Sequence, residues 1–321
     1  MITVNLIIDG NYVLSKNVFS LHKNNVLYGS LEKSLNVTIS NYKRLFPFSN
    51  VYLVSDSKAK SWRKTMFGEY KQHRKKDSDI DWQFVYETYD RFKQSVTGIK
   101  VCEADTVEGD DWIYYLTKKS NELGKSTFIV TNDYDIKQLL KFDLNNNWIN
   151  IMSNEMMNKE KLFMPKNYKV FLNKASKIDD MDIFNLNNDS EFITLLDKLE
   201  FRSEVIEVDP VESLFVKVIS GDTSDNIKST FQSKDKNGKV RGIGDAGAKT
   251  IYETYLTEFG EVNFNDVDLY DNIGDLICEK KKISKTNIDK IKSNIDHNMK
   301  LISLDMIPDN IIKIMEDKFN Q

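Results

Sequence analysis

Short apolar runs separated by amphipathic stretches organise the first half of the chain. The runs have the length of buried strands and occupy residues 2–8, 50–55, 99–102, 126–131 and 147–152. Helical periodicity follows the first four of them, at residues 30–46, 82–96, 107–122 and 134–141. Strands that alternate with helices predict a mostly parallel sheet that is covered by helices on both faces.

The second half of the chain has a different pattern, which predicts a helical domain. Residues 211–219 form an apolar helix, and a glycine-rich stretch at residues 242–249 opens another helix. Residues 153–208 are polar with weak periodicity, and we interpret them as a connection and peripheral insertion. We therefore expect two domains, at residues 1–208 and 209–321.

Acidic residues stand at the ends of the predicted strands. Asp9 follows the first run, Asp56 follows the second, and Asp133 and Asp135 follow the fourth. An aspartate after one strand is ordinary turn chemistry, but three strands that end in this way are much less expected by chance. Because an open α/β sheet binds its ligand beyond the carboxyl ends of its strands, we expect these carboxylates to converge at one edge.

The densest acidic stretch lies ahead of the third predicted helix, where five of nine consecutive residues are carboxylates. Asp105 or Thr106 can cap that helix, and acids in a first turn suit the helix dipole. A cap does not explain Glu108, Asp110 and Asp111, since three partly buried negative charges in one turn repel one another by several kcal/mol. A cation would remove the conflict, and this stretch by itself leaves a capped helix and a metal site both open.

A basic segment at residues 57–76 carries aromatic side chains among its lysines and arginines. Taken as a helix, it places on one side Arg63, Phe67, Tyr70, Lys71 and Arg74. A basic face with aromatics suits phosphates and stacked bases, and Lys64 adds to its charge. A solvated surface helix is the plainer alternative, but it is weakened because the aromatic residues have no evident core partner.

Asp222 and Asp225 follow an apolar helix in the second half of the chain. A helical turn between them would aim both carboxylates at one point. A C-cap glycine followed by a polar turn is the plainer alternative, and it accounts for Gly221 but not for the pairing of the two acids.

The glycines Gly242, Gly244 and Gly247 stand ahead of Lys249 at the start of a helix. Their spacing lets backbone N–H groups approach a phosphate at the helix N-terminus. A dinucleotide-binding fold uses a similar spacing after a strand, whereas here a helix and a polar loop come first. We therefore expect a helix-hairpin-helix that grips a DNA backbone without reading its sequence.

Composition narrows the class of protein. The 321 residues are 40% hydrophobic and 29% charged, and no apolar run approaches a membrane span, which predicts a soluble protein. The N-terminal run lacks the features of a signal peptide, and the two cysteines form neither a disulfide framework nor a zinc site, so a reducing cytoplasm fits best. The net charge of −4 does not indicate nucleic acid, but basic residues gather at 58–76 and 280–292, as suits a polyanion held through metal ions.

These stretches resemble, in order, the motifs of the flap endonuclease/5′-nuclease family, and among its members the phage ribonuclease H of the T4 type. The matching stretches are residues 8–10, Asp56, Tyr70–Lys71 with Arg74, Glu108–Asp111, Asp133–Asp135, Gly221–Asn226, the hairpin at 242–249 and the tail at 306–311. Two departures stand out: the family usually has Ala at the position of Gly109 and Gly at that of Tyr134. The second would place a bulky group between two metal ligands.

The resemblance implies an α/β fold with a central, mostly parallel sheet flanked by helices, known as the PIN-like 5′-nuclease fold. It also implies a metal-dependent nuclease domain over residues 1–208, with a helical arch near residues 57–90. A C-terminal helical domain over residues 209–321 would bind DNA through its helix-hairpin-helix.

The resemblance further implies a centre for two divalent ions, normally Mg²⁺, for which Mn²⁺ would substitute. The implied ligands are Asp9, Asp56 and Asp110 for the first ion, Asp133, Asp135, Asp222 and Asp225 for the second, and Glu108 and Asp111 directly or through water. Lys71 and Arg74 would hold the scissile phosphate, and Tyr70 would stack on a base near the cut.

Such an enzyme would remove RNA primers from RNA–DNA hybrids and 5′ ends or flaps from duplex DNA, in replication or repair. It would act as a monomer in the cytoplasm, that of the host if a phage encodes it. A single-strand-binding protein or a sliding clamp is left open as a protein partner. The alternatives are a PIN-type ribonuclease, which would not need the hairpin domain, and a catalytically inactive binder of DNA structures.

Overall fold

The computed structural model describes residues 4–45, 48–74, 77–143, 148–156, 159–166 and 203–321. The chain divides into two compact units. The first comprises Met1–Ser61, Lys76–Val208 and Asp309–Gln321, and the second comprises Trp62–Lys75 and Asp209–Pro308. Within the described ranges, no helix has both the length and the apolar character needed to cross a membrane.

In the described part of the first unit, eight strands join in one sheet. They are β1 (Val4–Asp9), β2 (Val51–Val54), β3 (Lys100–Cys102), β4 (Ser126–Val130), β5 (Phe142–Asp143), β6 (Trp148–Met156), β7 (Lys159–Pro165) and β8 (Ser203–Val208). The order is β3-β2-β1-β4-β6-β7-β8, and the short β5 pairs with β6. The strand β1 therefore lies inside the sheet, between β2 and β4.

The pairing of the strands sets the direction of the sheet. Ile8 of β1 is in register with Leu53 of β2 and Val130 of β4, and both pairs are parallel. The strand β6 is also parallel to β4, whereas β7 runs antiparallel to β6. The carboxyl ends of β1, β2, β4 and β6 consequently meet at one edge, as the apolar runs predict.

Helices cover both faces of this sheet. They are α1 (Gly10–Lys23), α2 (Leu27–Leu45), α4 (Trp82–Ser95), α5 (Gly109–Glu122) and a 3₁₀ helix at Tyr134–Leu139. The short helix α3 (Trp62–Met66) belongs to the second unit and is not one of them. On one face, residues of α1, α2 and α4 share a core with Leu6 and Ile8 of β1. On the other face, Asn5 of β1 donates a hydrogen bond to Ser120 of α5 at 2.9 Å.

The second unit is mainly helical. Its remaining elements are α6 (Pro210–Ser220), β9 (Gln232–Lys234), β10 (Val240–Gly242), α7 (Asp245–Phe259), α8 (Leu269–Lys281), α9 (Ile288–Ile302) and short 3₁₀ helices at Lys285–Asn287 and Leu304–Met306. Phe215 and Tyr255 are among the large side chains fully enclosed in its core. The last helix, α10 (Asp309–Phe319), belongs to the first unit.

Two parts of the first unit differ from the sequence expectation. The pattern did not predict α1, because Asp9 and the glycine after it are equally typical of a turn; here Asp9 caps the helix and accepts a hydrogen bond from the Tyr12 N–H at 3.0 Å. The interpretation of residues 153–208 as a peripheral insertion is wrong at both described ends. The strands β7 and β8 pair there in parallel and extend the main sheet.

The basic segment also differs from its prediction as one helix. Only Trp62–Met66 is helical, and Phe67 and Tyr70 pack with the core of the second unit. The aromatic residues thus have the core partners that the sequence did not reveal. The predicted domain boundary at residue 208 also differs from the structure. Residues 62–75 belong to the second unit and residues 309–321 belong to the first. In the first unit, the centroid of the Phe319 ring lies 6.0 Å from that of Tyr52.

Gly10 and Gly29 offer a matched test of the packing at the start of α1. A Cβ at Gly10 would lie 1.9 Å from the Tyr89 hydroxyl and 2.6 Å from the Val54 carbonyl oxygen, whereas nothing lies within 4 Å of one at Gly29. We expect Gly10→Ala to lower the free energy of unfolding by about 1–3 kcal/mol through overpacking. Gly29→Ala, inside α2, should raise it by about 0.5–1 kcal/mol.

Urea unfolding followed by circular dichroism measures both variants. Equal midpoints for the two variants would contradict the close approach of α1, β2 and α4 at Gly10.

Candidate active site

Asp9 ends the interior strand β1 and is buried. Its two carboxylate oxygens accept hydrogen bonds from the Tyr12 N–H at 3.0 Å and the Thr131 hydroxyl at 2.7 Å. Burial raises the pKa of Asp9 to about 6 against the opposing effect of these two bonds, and the charges of Asp56 and Asp133 add to the rise. Three strand ends therefore bring three carboxylates within electrostatic reach of one another.

Asp56 follows β2 by two residues and is exposed. Its Oδ1 accepts a hydrogen bond from the Gly109 N–H at 2.7 Å, at the first residue of α5. A Cβ at Gly109 would lie 3.3 Å from the same oxygen. The glycine thus lets the backbone of α5 approach this carboxylate closely.

The acidic start of α5 is organised by a cap, but not by the predicted one. Thr106 has a φ of 67°, in the left-handed region, and the N-cap is Glu108. The Glu108 N–H donates to Oδ2 of the fully buried Asp111 at 2.9 Å. Asp111 therefore uses one oxygen to begin the helix, while Asp110 beside it is half-buried. The predicted metal-binding roles of Glu108, Asp110 and Asp111 stay predictions.

Thr131 is a residue that the sequence reasoning missed. Its hydroxyl donates to Asp9 and accepts a hydrogen bond from the Asp133 N–H at 3.0 Å. Asp133 in turn caps the 3₁₀ helix, where its Oδ1 accepts from the Asp135 N–H at 2.9 Å. One hydroxyl thereby links the strand-end acid of β1 to that of β4. The signal that could have found Thr131 is its position as the polar last residue of the fourth apolar run.

Asn154 is a second missed residue at the same edge. The Thr131 N–H donates to the Ser153 carbonyl oxygen at 3.1 Å, so Asn154 follows on β6 beside Thr131. Asn154 is 1% exposed, and neither of its amide atoms has a hydrogen-bond partner among the described residues. A buried amide without a partner costs free energy, so its position suits a polar ligand at this edge.

The donor set at this edge fits a hard divalent cation. In the described ranges, no three acidic, histidine or cysteine side chains are arranged to hold a metal ion as they stand. The strand-end donors are all carboxylate oxygens, which Mg²⁺ and Ca²⁺ prefer. The mutual repulsion that helps to raise the pKa of Asp9 is also what a bound cation relieves.

In the second unit, Asp222 and Asp225 lie in a turn rather than in the predicted helical turn. Gly221 has a φ of 76°, and a Cβ there would lie 2.5 Å from the Ile227 carbonyl oxygen. Asp222 and Ile227 then form an isolated antiparallel bridge. The glycine is required by this reversal, which separates α6 from the loop that carries the two acids.

Asp222 is committed to local partners. It forms an ion pair with Lys217 and accepts hydrogen bonds from the Ser224 N–H and hydroxyl, both at 2.7 Å. Burial acts to raise the pKa of Asp222, but the Lys217 ammonium and the Ser224 donors outweigh it and hold the pKa below its ordinary value. Its role as a metal ligand stays a prediction.

Asp225 brings together two of the predicted phosphate-binding residues. It pairs with the Arg74 guanidinium, and the Lys71 ammonium lies 3.8 Å from its Oδ2. The Lys71 N–H also donates to the Asp225 carbonyl oxygen at 3.0 Å, with Lys71 at a φ of 54°. Both cations are thus arranged around an anionic group within the second unit.

Two predicted substrate contacts are corrected by burial. Tyr70 is 3% exposed and lies in the core of the second unit, so its ring is enclosed and does not offer a face to a base. Arg63 is 2% exposed, donates to the Leu301 carbonyl oxygen at 2.9 Å and lies over the Trp62 ring. It is a structural residue rather than a nucleic-acid contact, whereas Lys64 is exposed.

The glycines of the predicted hairpin have different surroundings. A Cβ at Gly242 would lie 2.7 Å from the Ser229 Cβ, so packing alone requires this glycine. Gly244 is the N-cap of α7 and has nothing within 4 Å of its Cβ position, whereas a Cβ at Gly247 would meet a side chain at 3.2 Å. Lys249 is exposed and pairs at 2.8 Å with a glutamate of α6. Their predicted contacts with a DNA backbone stay predictions.

Comparison with known proteins identifies relatives of this chain. The family model of the 5′-3′ exonuclease, N-terminal resolvase-like domain, matches residues 4–169. The 5′-3′ exonuclease of Buchnera aphidicola subsp. Schizaphis graminum is 28% identical over 166 residues, which are 49% of this chain and 55% of that protein. The 5′-3′ exonuclease of Mycoplasmopsis pulmonis is 23% identical over 254 residues, which are 78% of this chain and 66% of that protein. This chain thus spans just over half to about two thirds of the length of these relatives.

Solved structures share the fold. The bacteriophage T5 flap endonuclease, in a pseudo-enzyme–product complex with DNA and metal ions, has a TM-score of 0.62 at 17% identity, over 99% of this chain and 98% of that chain. A T5 protein co-crystallised with metal ions gives a TM-score of 0.59 at 17% identity over the same shares. These likenesses confirm the predicted PIN-like α/β fold with a mostly parallel sheet and a helical C-terminal region.

Replacing Asp9 by Asn removes the buried charge and keeps the shape. Because the folded pKa of about 6 lies above the ordinary 3.8, ionisation destabilises the folded state. This penalty is absent below about pH 4, grows between about pH 4 and 6, and is complete above that window. In chelator-treated protein at about pH 7, we expect Asp9→Asn to be more stable than the native chain by up to about 3 kcal/mol.

Urea unfolding at both ends of this pH window measures the effect. Asp79→Asn, at an exposed position, is the control and should leave stability unchanged at both pH values. If Asp9→Asn instead lowers the free energy of unfolding equally at both pH values, the hydrogen bonds of Asp9 contribute more to stability than its buried charge does.

Proposed function

We propose that this chain is a divalent-metal-dependent 5′-nuclease. It belongs to the 5′-3′ exonuclease family, whose N-terminal resolvase-like domain it contains. It would hydrolyse phosphodiesters at or near the 5′ end of a nucleic acid. The observation that carries the proposal is the acidic edge of the sheet, where the charges of Asp56 and Asp133 act on the buried Asp9. Such an edge is suited to binding cations that contact a phosphodiester.

The proposed substrates are 5′-flap or nicked duplex DNA and RNA–DNA hybrids, met in replication or repair. The T5 flap endonuclease, whose fold this chain shares, was crystallised with DNA and metal ions. The motif resemblance supports the ribonuclease H part of the activity. The two cysteines are free and buried, which suits action in a reducing cytoplasm.

The acidic edge would hold two ions, and its oxygen donors favour Mg²⁺, with Mn²⁺ as a substitute. The proposed ligands are Asp9, Asp56 and Asp110 for one ion and Asp133 and Asp135 for the other. When bound, the ions supply a more acidic water and stabilise the charge that develops on the phosphate. Thr131 would keep Asp9 and Asp133 oriented through its two hydrogen bonds.

Lys71 and Arg74 would contact the phosphate of the substrate. In this structure they surround the Asp225 carboxylate, which has the charge and some of the geometry of a phosphate oxygen pair. Their arrangement around one anion supports the proposal that they receive another. A charged donor aimed where negative charge develops lowers the barrier of the chemical step.

The alternative functions differ from this one in measurable ways. A PIN-type ribonuclease would have no use for the glycine hairpin and helices of the second unit. A catalytically inactive binder of DNA structures would bind without metal-dependent cleavage. The match to an exonuclease family favours the nuclease over both.

Asp110→Asn tests the metal assignment. Asp110 lies in the first turn of α5, so the variant keeps the shape and removes one proposed ligand charge. With Mg²⁺ and a labelled 5′-flap duplex, we expect at least a ~100-fold lower cleavage rate. Asp289→Asn, in the first turn of α9, controls for the helix dipole and should retain the native rate. Undiminished cleavage by Asp110→Asn would end the two-ion assignment.

Lys71→Ala tests the role of the cation pair. Transition-state stabilisation predicts a ~10²-fold fall in the single-turnover rate, with a much smaller change in the Kd for the flap duplex. Lys64→Ala, at an exposed lysine of α3, should weaken binding slightly and leave the single-turnover rate intact. Equal losses of rate and affinity in Lys71→Ala would make Lys71 a simple phosphate contact.

A further inference from the structure

Tyr134 lies between two of the proposed metal ligands, at a position where the resemblance leads one to expect glycine. It is the first residue of the 3₁₀ helix that Asp133 caps, and its side chain is 40% exposed. The ring is therefore partly open to solvent, and the effect of this bulky group on the second ion stays a prediction. Its Cα is about 3.8 Å from that of Asp133, which places its backbone at the acidic edge.

The Tyr134 ring contacts a buried aromatic ring and a lysine ammonium group. It packs edge-to-face on the buried Phe163 of β7, with ring centroids 5.6 Å apart. The Lys137 ammonium lies 3.8 Å from the Tyr134 ring centroid and 4.6 Å from that of Phe163. Because a 3₁₀ helix repeats every three residues, Tyr134 and Lys137 share one face.

We propose that Tyr134 and Lys137 form a nucleotide subsite of the first unit, in which an unpaired base stacks on the tyrosine ring and the lysine contacts an adjacent phosphate. The inference rests on the proposed 5′-nuclease function and names the part of the substrate that this edge receives. A rigid, partly exposed aromatic ring with a neighbouring cation is the usual combination in proteins that bind single-stranded nucleic acid.

The burial of the other aromatic candidate strengthens this assignment. Tyr70 was expected to stack on a base, but its ring is enclosed in the second unit. Among the exposed aromatic residues in the described part of the chain, Tyr134 is the one whose neighbours in sequence are Asp133 and Asp135. A base held there would lie next to the phosphodiester that the acidic edge receives.

The test uses a duplex with an unpaired 5′ segment that carries 2-aminopurine, and a blunt duplex of the same sequence. Binding is measured in chelator, so that no cleavage occurs, for the native chain, Tyr134→Leu and Tyr134→Phe. Tyr28→Leu is the matched control, because Tyr28 is 54% exposed and also packs edge-to-face on a phenylalanine, Phe84, at 5.2 Å.

We expect Tyr134→Leu to bind the 5′-tailed duplex about tenfold more weakly and the blunt duplex equally well. Tyr134→Phe and Tyr28→Leu should behave as the native chain. Native protein should also quench the 2-aminopurine emission at one unpaired position, and Tyr134→Leu should lose this quenching. Lys137→Gln should reduce the salt dependence of binding by about one phosphate contact.

Unchanged binding of the tailed duplex by Tyr134→Leu would overturn the inference, and so would a native chain that quenches 2-aminopurine nowhere along the tail. The second measurement does not depend on whether a variant folds. Cleavage of the tailed duplex with Mg²⁺ is recorded in parallel. A native chain that cleaves, together with a Tyr134→Leu variant that binds normally, would reject the subsite alone, whereas a native chain that does not cleave would reject the proposed function.

Discussion

The acidic edge of the first unit is built around one buried charge. Asp9 ends an interior strand of the sheet, where burial makes its ionised form unfavourable and nearby carboxylates make it more so. Two hydrogen bonds, from Tyr12 and Thr131, offset only part of this effect, since the pKa remains raised to about 6. A carboxylate kept in such a place favours any process that neutralises it, which is proton uptake below about pH 6 and a bound cation above it. The charge of Asp9 therefore affects both the stability of the fold and the proposed binding of a metal ion.

Backbone N–H groups help to hold three further acids of the first unit in position. The Gly109 N–H holds Asp56, the Glu108 N–H holds Asp111, and the Asp135 N–H holds Asp133. Each donor belongs to the first turn of a helix or to the residue that caps it. Helix starts have unpaired N–H groups, so acids placed there satisfy those groups and are held in fixed positions. The same arrangement, in which an acid after a strand caps the next helix, occurs after β1 with Asp9 and after β4 with Asp133.

The sequence could predict what local patterns determine. An apolar run followed by an aspartate is a short-range signal, and the convergence of Asp9, Asp56 and Asp133 followed from it. The sequence could not predict contacts whose partners lie far along the chain. The burial of Arg63 depends on the Leu301 carbonyl oxygen, and that of Tyr70 on helices more than a hundred residues later. The cap of α5 was misplaced for another reason, since the left-handed conformation of Thr106 leaves no trace in composition.

The two departures from the family pattern act on the acidic edge in different ways. Gly109 removes a Cβ that would approach the Asp56 oxygen to 3.3 Å, while its N–H still holds that oxygen at 2.7 Å, so the carboxylate keeps room to adjust. Tyr134 adds bulk, but neighbours in sequence need not share a side when a strand end turns into a helix. The ring packs edge-to-face on Phe163, and the charges of Asp56 and Asp133 still act on Asp9. Glycine at one position thus admits the close backbone contact with Asp56, and tyrosine at the other adds a partly exposed aromatic ring next to Asp133 in the chain.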